Sequence, residues 1–164
     1  MATSILLTKF SLVLMLLLLS EGGDGSQIRC SNGFINNENS CYKFVDMAVS
    51  WVEATVFCNA MGAHLAEVES PVEEQFLLHR VYFVQSELRD KPLWLGASDV
   101  MNNDEWVWMH SKRVMGYRNW NMNRPEASPS GHGHCLAIQT QPVFAWVETA
   151  CDQNLRFICE QEAL

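Results

Sequence analysis

The chain has 164 residues, six of them cysteine, with 11 Lys and Arg against 19 Asp and Glu and a formal net charge of -8. That length suits one domain of ordinary size rather than two. The negative balance argues against a nucleic-acid binder, which needs a basic surface to displace counterions, and 48% hydrophobic against 18% charged residues excludes a disordered acidic tail.

The first element is an address rather than part of the fold. Lys9 precedes a ten-residue apolar run, residues 10–19. A membrane-crossing helix needs about 20 apolar residues, so a short apolar core behind a basic residue reads as a secretory signal. Ser20-Glu21-Gly22 supplies small residues for cleavage, and Gly23-Asp24-Gly25 offers a second point. Residues 1–22 are therefore expected to be removed, leaving residues 23–164 as the single domain. Lys9 and Glu21 leave together, so the charge stays at -8. In an oxidising compartment, Cys30, Cys41, Cys58, Cys135, Cys151 and Cys159 read as a disulfide framework. Their spacing alone leaves all of about 15 pairings open. No C-x-x-C pair is present to suggest zinc.

Residues 26–39 are polar and turn-rich, with Asn32-Gly33 and Asn36-Asn37. Residues 41–45 alternate as a strand does. Ser50 and Glu53 form a capping box, each side chain covering a free backbone N–H of the other. Trp51, Ala54, Thr55 and Cys58 follow on one helical face, and Gly62 is the expected stop. Ser70-Pro71-Val72-Glu73 opens a second helix with proline in its first turn. Val72, Phe76 and Leu77 begin its predicted buried face, and it should end before Asp90-Lys91-Pro92. From Leu93 onward, short apolar pieces alternate with Gly, Pro and Asn. Residues 93–96, 106–108, 136–138 and 157–159 read as short strands, and residues 119–134 as a long loop, a length that is usually functional or disordered. Two helices followed by short strands indicate an α+β domain.

These motifs together resemble the C-type lectin-like domain family over nearly all of residues 30–161. The residues that carry the resemblance are Leu93-Trp94-Leu95-Gly96, the six cysteines, Trp146 shortly before Cys151, and Phe157-Ile158-Cys159-Glu160. Residues 94–99, Trp106-Val107-Trp108 and His134-Cys135-Leu136 look most like the perlucin-like proteins of molluscan shell. The resemblance implies two helices with short antiparallel strands, a long loop region and the disulfides Cys30–Cys41, Cys58–Cys159 and Cys135–Cys151. It also implies a loop in which sugar-binding members hold calcium through a Glu-Pro-Asn or Gln-Pro-Asp triplet, a following glutamate and a Trp-Asn-Asp triplet.

Calcium needs about six to eight oxygen ligands, and this chain departs from that pattern. The first triplet reads Arg124-Pro125-Glu126, with a cation where a ligand oxygen belongs; Pro125 matches the family's proline, usually cis. Gly133 takes the place of the following glutamate, and the last triplet reads Trp146-Val147-Glu148. Residues 127–147 contain no Asp or Glu, so no register shift restores the carboxylates. The sugar-bridging calcium is therefore not expected, and no other cofactor is implied. Arg124 is instead positioned to pair with Glu126 or Glu148, its guanidinium standing in for the ion; an exposed pair of little worth is the plainer alternative.

Other features read as structural. His132-Gly133-His134 lacks a nearby carboxylate or thiolate and is taken as exposed loop. Trp94, Trp106 and Trp108 have strand-like neighbours and belong in a core, whereas Trp120 is the tryptophan best placed to offer a ring to a ligand. Asp99, Asp104 and Glu105 flank two asparagines in what reads as a solvated turn. No nucleophile elbow, H-E-x-x-H or phosphate loop is present, so no catalysis is expected. No N-glycosylation sequon is present either. The sequence thus predicts a secreted, extracellular lectin-like protein, with carbohydrate binding implied by the resemblance. The alternative is a structural matrix or biomineralization protein that adsorbs to mineral or protein surfaces without a sugar site. The candidate ligand-loop residues are Trp120, Arg124, Pro125, Glu126, Trp146 and Glu148; no nucleic acid and no membrane span is expected.

Overall fold

A computed structural model of the protein describes residues 29–31, 33–101, 105–121 and 134–164. The signal segment and Arg124, Pro125, Glu126, His132 and Gly133 lie outside the described residues. The chain runs β1 (Ile35–Asn37), β2 (Ser40–Val49), α1 (Trp51–Ala60), β3 (His64–Leu65), α2 (Pro71–His79), β4 (Leu93–Ser98), β5 (Val107–Trp108), β6 (His134–Gln139), β7 (Ala145–Ala150) and β8 (Leu155–Glu162). One sheet runs β1-β2-β8-β4-β6-β7, with β3 paired to β8 and β5 to β4. The β4–β8 pair is parallel and every other pair antiparallel. This is the α+β architecture that the sequence predicts.

Both helix starts follow from local chemistry. The Ser50 hydroxyl accepts from Glu53 N, and the Glu53 carboxylate accepts from Ser50 N at 2.9 Å, so two orphan donors are satisfied reciprocally. The Ser50 hydroxyl, and then Ser50 N, hold the exposed Glu53 carboxyl below the usual carboxylate range. Ser70 accepts from Glu73 N at 3.1 Å, and Pro71 sets the first helical φ. Gly62, at φ +70°, carries the chain out of α1 in a conformation that favours glycine.

The core lies on both faces of the sheet, and the strands alternate between them with the period of two that the pleat imposes. Leu93, Leu95 and Ala97 of β4, Leu136 and Ile138 of β6 and Ile158 of β8 face one side, where they meet Leu77, Val81, Trp106, Trp108 and Trp146. Trp94, Cys135, Ala137, Phe157 and Cys159 face the other, under Ala54 and Cys58 of α1. Trp94 and Trp106 are fully buried and Trp108 is 1% exposed, as expected of core tryptophans. At the centre of β4, Gly96 is required for space: a Cβ there would lie 2.5 Å from the Leu65 carbonyl oxygen. Its N–H donates to Ala66 O and its carbonyl accepts from Met109 N, both at 2.8 Å. β3 and the β5 turn are thereby held against β4.

Three disulfides join these layers: Cys30–Cys41, Cys58–Cys159 and Cys135–Cys151, with Cα–Cα distances of 5.6, 5.5 and 5.1 Å. This is the pairing the family resemblance implies. Two local expectations are corrected. Val72 is 63% exposed rather than buried; the inner face of α2 is Glu74 and Leu77, with Val81 just beyond, and Phe76 is half-buried. The polar segment before Cys41 is not all turn, because Ile35–Asn37 pairs with Ser40–Tyr42 as an edge strand.

Candidate functional site

The base of the loop region is an aromatic layer. Trp120 stands edge-on to Trp106 at 5.0 Å and to Trp146 at 6.1 Å, and Trp146 also takes Trp108 and Tyr117 edge-on. Such tilted contacts set positive ring edges against negative ring faces. Trp120 bridges to Trp146 beside β7, where Trp146 N donates to Asn119 O and Asn121 N to Trp146 O. The chain entering the loop is therefore an added rung on the β7 edge. Trp120 is half-buried. Trp146 is fully buried and offers no ring face to a ligand, so of the two tryptophans in the candidate set only Trp120 remains accessible.

A carboxylate anchors this rung from below. Glu74 on α2, 7% exposed, accepts from the Tyr117 hydroxyl at 2.7 Å and from the Asn119 amide at 2.9 Å. Burial, and then the Glu74 charge, push the Tyr117 phenol well up, which keeps it a donor. The far end of the loop is fixed differently. Asp99 Oδ1 accepts from His134 N, the Ser98 hydroxyl donates to His134 O at 2.8 Å, and the His134 ring lies 3.7 Å from Asp99 Oδ2. Two expectations change here. Asp99 is 4% exposed rather than part of a solvated turn. His134 is half-buried with a carboxylate beside it rather than a free loop imidazole. The reason is register: Ser98 pairs with Cys135, so Asp99 reaches the first residue of β6.

On β7, Val147 and Glu148 are half-buried, and Leu136 and Ala137 of β6 pair with them. An isopropyl group thus stands where the family's triplet carries an amide. With Glu148 the one carboxylate among the twenty-two residues 127–148, this donor set does not fit calcium. Among the described residues no group of three or more His, Cys, Asp and Glu side chains is arranged to hold a metal ion. Arg124 and Glu126, and with them the pairing expected of Arg124, lie outside the described residues.

A second constellation was not legible in the sequence. The Tyr42 hydroxyl donates to Glu73 Oε1 at 2.6 Å and lies 3.3 Å from Glu160 Oε1. Glu160 also accepts from the Ser40 hydroxyl at 2.7 Å and from Glu67 N at 2.9 Å. Glu67 in turn accepts from His110 N and Ser111 N, both at 3.0 Å. Burial pushes Glu73 up to about 7, and burial raises Glu160 as well, with the Glu67 charge adding to it. Burial raises the Tyr42 phenol, and the two flanking carboxylates add to it. The only trace of this cluster in the sequence is Glu160, a polar residue ending the apolar run 157–159; the strand pairings that gather the others are not local.

The comparisons agree with this geometry. Residues 47–161 match the Lectin C-type domain family. Perlucin from Haliotis laevigata is 31% identical over 136 residues, covering 82% of this chain and 84% of the relative. Lithostathine from Rattus norvegicus is 28% identical and covers 92% of this chain and 93% of its own length. Among solved structures, the mouse scavenger receptor C-type lectin carbohydrate-recognition domain superposes with a TM-score of 0.69 at 25% identity, covering 81% of this chain and 96% of that domain. These relatives are lectin-like binding proteins rather than enzymes. The chain belongs to the C-type lectin domain family.

Proposed function

We propose that the protein is a secreted, extracellular binding module that recognises glycans without a calcium ion bridging sugar to protein. The observation that carries this reading is the donor set at the loop: a member of a lectin family in which Val147 replaces an amide and residues 127–147 hold no carboxylate. The half-buried Trp120 ring, braced by Trp106, Trp146 and the Glu74 anchor, supports an aromatic contact in place of the ion. The short apolar run behind Lys9 supports removal of residues 1–22 and export, with residues 23–164 as the mature domain. No helix among the described residues is long and apolar enough to cross a membrane.

A second reading, adsorption to mineral or matrix protein without sugar binding, is favoured by the excess of 19 acidic over 11 basic residues. Glycan-array binding with and without chelator, paired with calcium titration by calorimetry, separates the two. The first reading expects glycan signals that chelator leaves unchanged and that Trp120→Ala abolishes. Chelator-sensitive sugar binding overturns it. Strong retention on calcium carbonate with a blank array moves the assignment to the second reading.

A further inference from the structure

The stacked histidines His64 and His110 divide two cavities of opposite character. Their rings lie 3.8 Å apart and within 9° of parallel, and both residues line both cavities. The larger cavity, about 740 Å³, is acidic, with Glu67, Glu69, Glu160 and Glu162 in its wall. The smaller, about 410 Å³, has no carboxylate in its lining, and its one fixed charge is the Lys112 ammonium. In a chain of net charge -8, this pocket carries a cation at its rim and no carboxylate. Its volume lies in the roughly 300–1,000 Å³ range of small-ligand pockets.

The lining is built rather than incidental. The Trp51 indole Nε1–H donates to Leu95 O at 2.8 Å, which fixes the indole plane against β4. Thr55 Oγ donates to Trp51 O at 3.0 Å, so its lone pairs stay available as acceptors. His64 Nδ1 lies 2.9 Å from Leu65 O, and the ring adds a second polar edge to the lining. Asn59, in the last turn of α1, adds an exposed amide. Lys112 sits at φ +62°, where a turn would ordinarily use glycine, and its ammonium donates to Met109 O across the same turn. Glu67 lies behind this turn, held by His110 N and Ser111 N, and lines the larger cavity but not this one.

We propose that this pocket between α1 and the β5 turn binds an acidic saccharide unit, a pyranose bearing a carboxylate or sulfate. The Trp51 ring takes the apolar face of the sugar. Asn59, Thr55 and His64 exchange hydrogen bonds with its hydroxyls, and Lys112 holds the anionic group as a point charge. The site belongs to the α1 side of the sheet, with Trp51 packed in that core, whereas Trp106, Trp120 and Trp146 belong to the other side. It is therefore independent of the loop reading.

The test uses the disulfide-bonded secreted chain in chelator, titrated by calorimetry and amide NMR with a glucuronate–N-acetylglucosamine disaccharide, its sulfated form and neutral chitobiose. The acidic disaccharides are expected to bind more tightly than chitobiose and to shift amides of α1 and residues 109–112. Lys112→Gly, which suits the positive φ, should hold or raise the thermal midpoint while weakening the acidic ligands about tenfold and erasing their preference over chitobiose. Asn59→Leu should weaken all three. Equal binding of acidic and neutral ligands, no binding, shifts confined to Trp120 and its neighbours, or a preference that survives Lys112→Gly would overturn the proposal. Shifts at Trp120 alone would leave the loop reading standing, so the two fail separately.

Discussion

Glu73 and Glu74 are adjacent on α2, both substantially buried, and face different halves of the molecule. Glu73 turns toward β2 and β8, into the company of Glu69 and Glu160, with the Tyr42 hydroxyl as a close donor and Glu69 N as another. Glu74 turns toward the loop base, where neutral donors from Tyr117 and Asn119 meet it. The same residue type on the same helix therefore serves two ends. Among other acids, burial makes the charged form costly and the group holds a proton up to about pH 7. Beside neutral donors the carboxyl becomes a fixed post that anchors residues 117–119 through its Oε2. Sequence position separates the two by one residue, and the helix turns that into about 100° of direction.

The largest effect that can break this comparison lies on the Glu73 side. Cys58–Cys159 closes a separation of 101 residues, against 16 for Cys135–Cys151 and 11 for Cys30–Cys41. Chain entropy then gives about 4 to 5 kcal/mol for the first bridge and about 3 for each of the others. Replacing Cys58 and Cys159 together by alanine should lower stability in denaturant titration by the larger amount. Glu160 follows Cys159 directly, so the same variant should also relax the acid cluster and flatten its pH response. A loss equal to that of Cys135→Ala/Cys151→Ala would show that chain entropy does not rank these bridges.

Next in size is the loop anchor. Tyr117→Phe removes the hydroxyl that donates to Glu74 and leaves a buried carboxylate with the Asn119 amide alone. That should cost roughly 1 to 3 kcal/mol in urea denaturation. Trp120 fluorescence should change as well, because Glu74, the acceptor of the Asn119 amide, would lose its Tyr117 donor, and Trp120 is the next residue. A stability change without any change in the environment of Trp120 would mean that Glu74 supports the core but not the loop.

How much of this arrangement was legible in the sequence depends on how local each determinant is. Ser50 with Glu53, Ser70 with Pro71, and Gly62 act within one turn and were readable at once. The strands at Leu93, Leu136 and Phe157 announce themselves because both sheet faces are covered and the runs are continuously apolar. β1 and β3, three and two residues long, exist only through their partners on β2 and β8 and carry no signal of their own. Val72 was misplaced because hydrophobic periodicity assigns the inner face to apolar residues. Here a glutamate occupies it, and Tyr117 and Asn119, more than 40 residues away, donate to its Oε2. The disulfide pairing came from family resemblance, not from spacing.

A smaller effect tests the acidic half directly. Glu73 and Glu160 have folded pKa values raised above those of the unfolded chain. For Glu73, between the ordinary carboxylate range and about pH 7, the native state therefore binds more protons than the unfolded one, and Glu160 adds in the same direction. Stability must then fall as pH rises through that window. For a partly hydrated carboxyl the change should be on the order of 1 kcal/mol. Protonated Glu73 can donate to the Tyr42 oxygen, and Tyr42 can then donate to Glu160. Glu73→Gln reproduces that donor, so it should remove most of the slope and raise stability at pH 8. An unchanged slope would assign the titration elsewhere.

The smallest expected effect concerns β7. Val147→Asn restores the amide of the family's triplet at a half-buried position and should shift stability by no more than about 0.5 kcal/mol. It should also leave the thermal midpoint insensitive to added calcium. One amide adds one oxygen, while the ion needs about six to eight, and residues 127–147 still hold no carboxylate. On the proposed reading the calcium site is lost as a set rather than at one residue, so repairing a single member is expected to return nothing. A midpoint that rises with calcium in Val147→Asn but not in the parent chain would show that the remaining oxygens were already in place, and that this one side chain had closed the site.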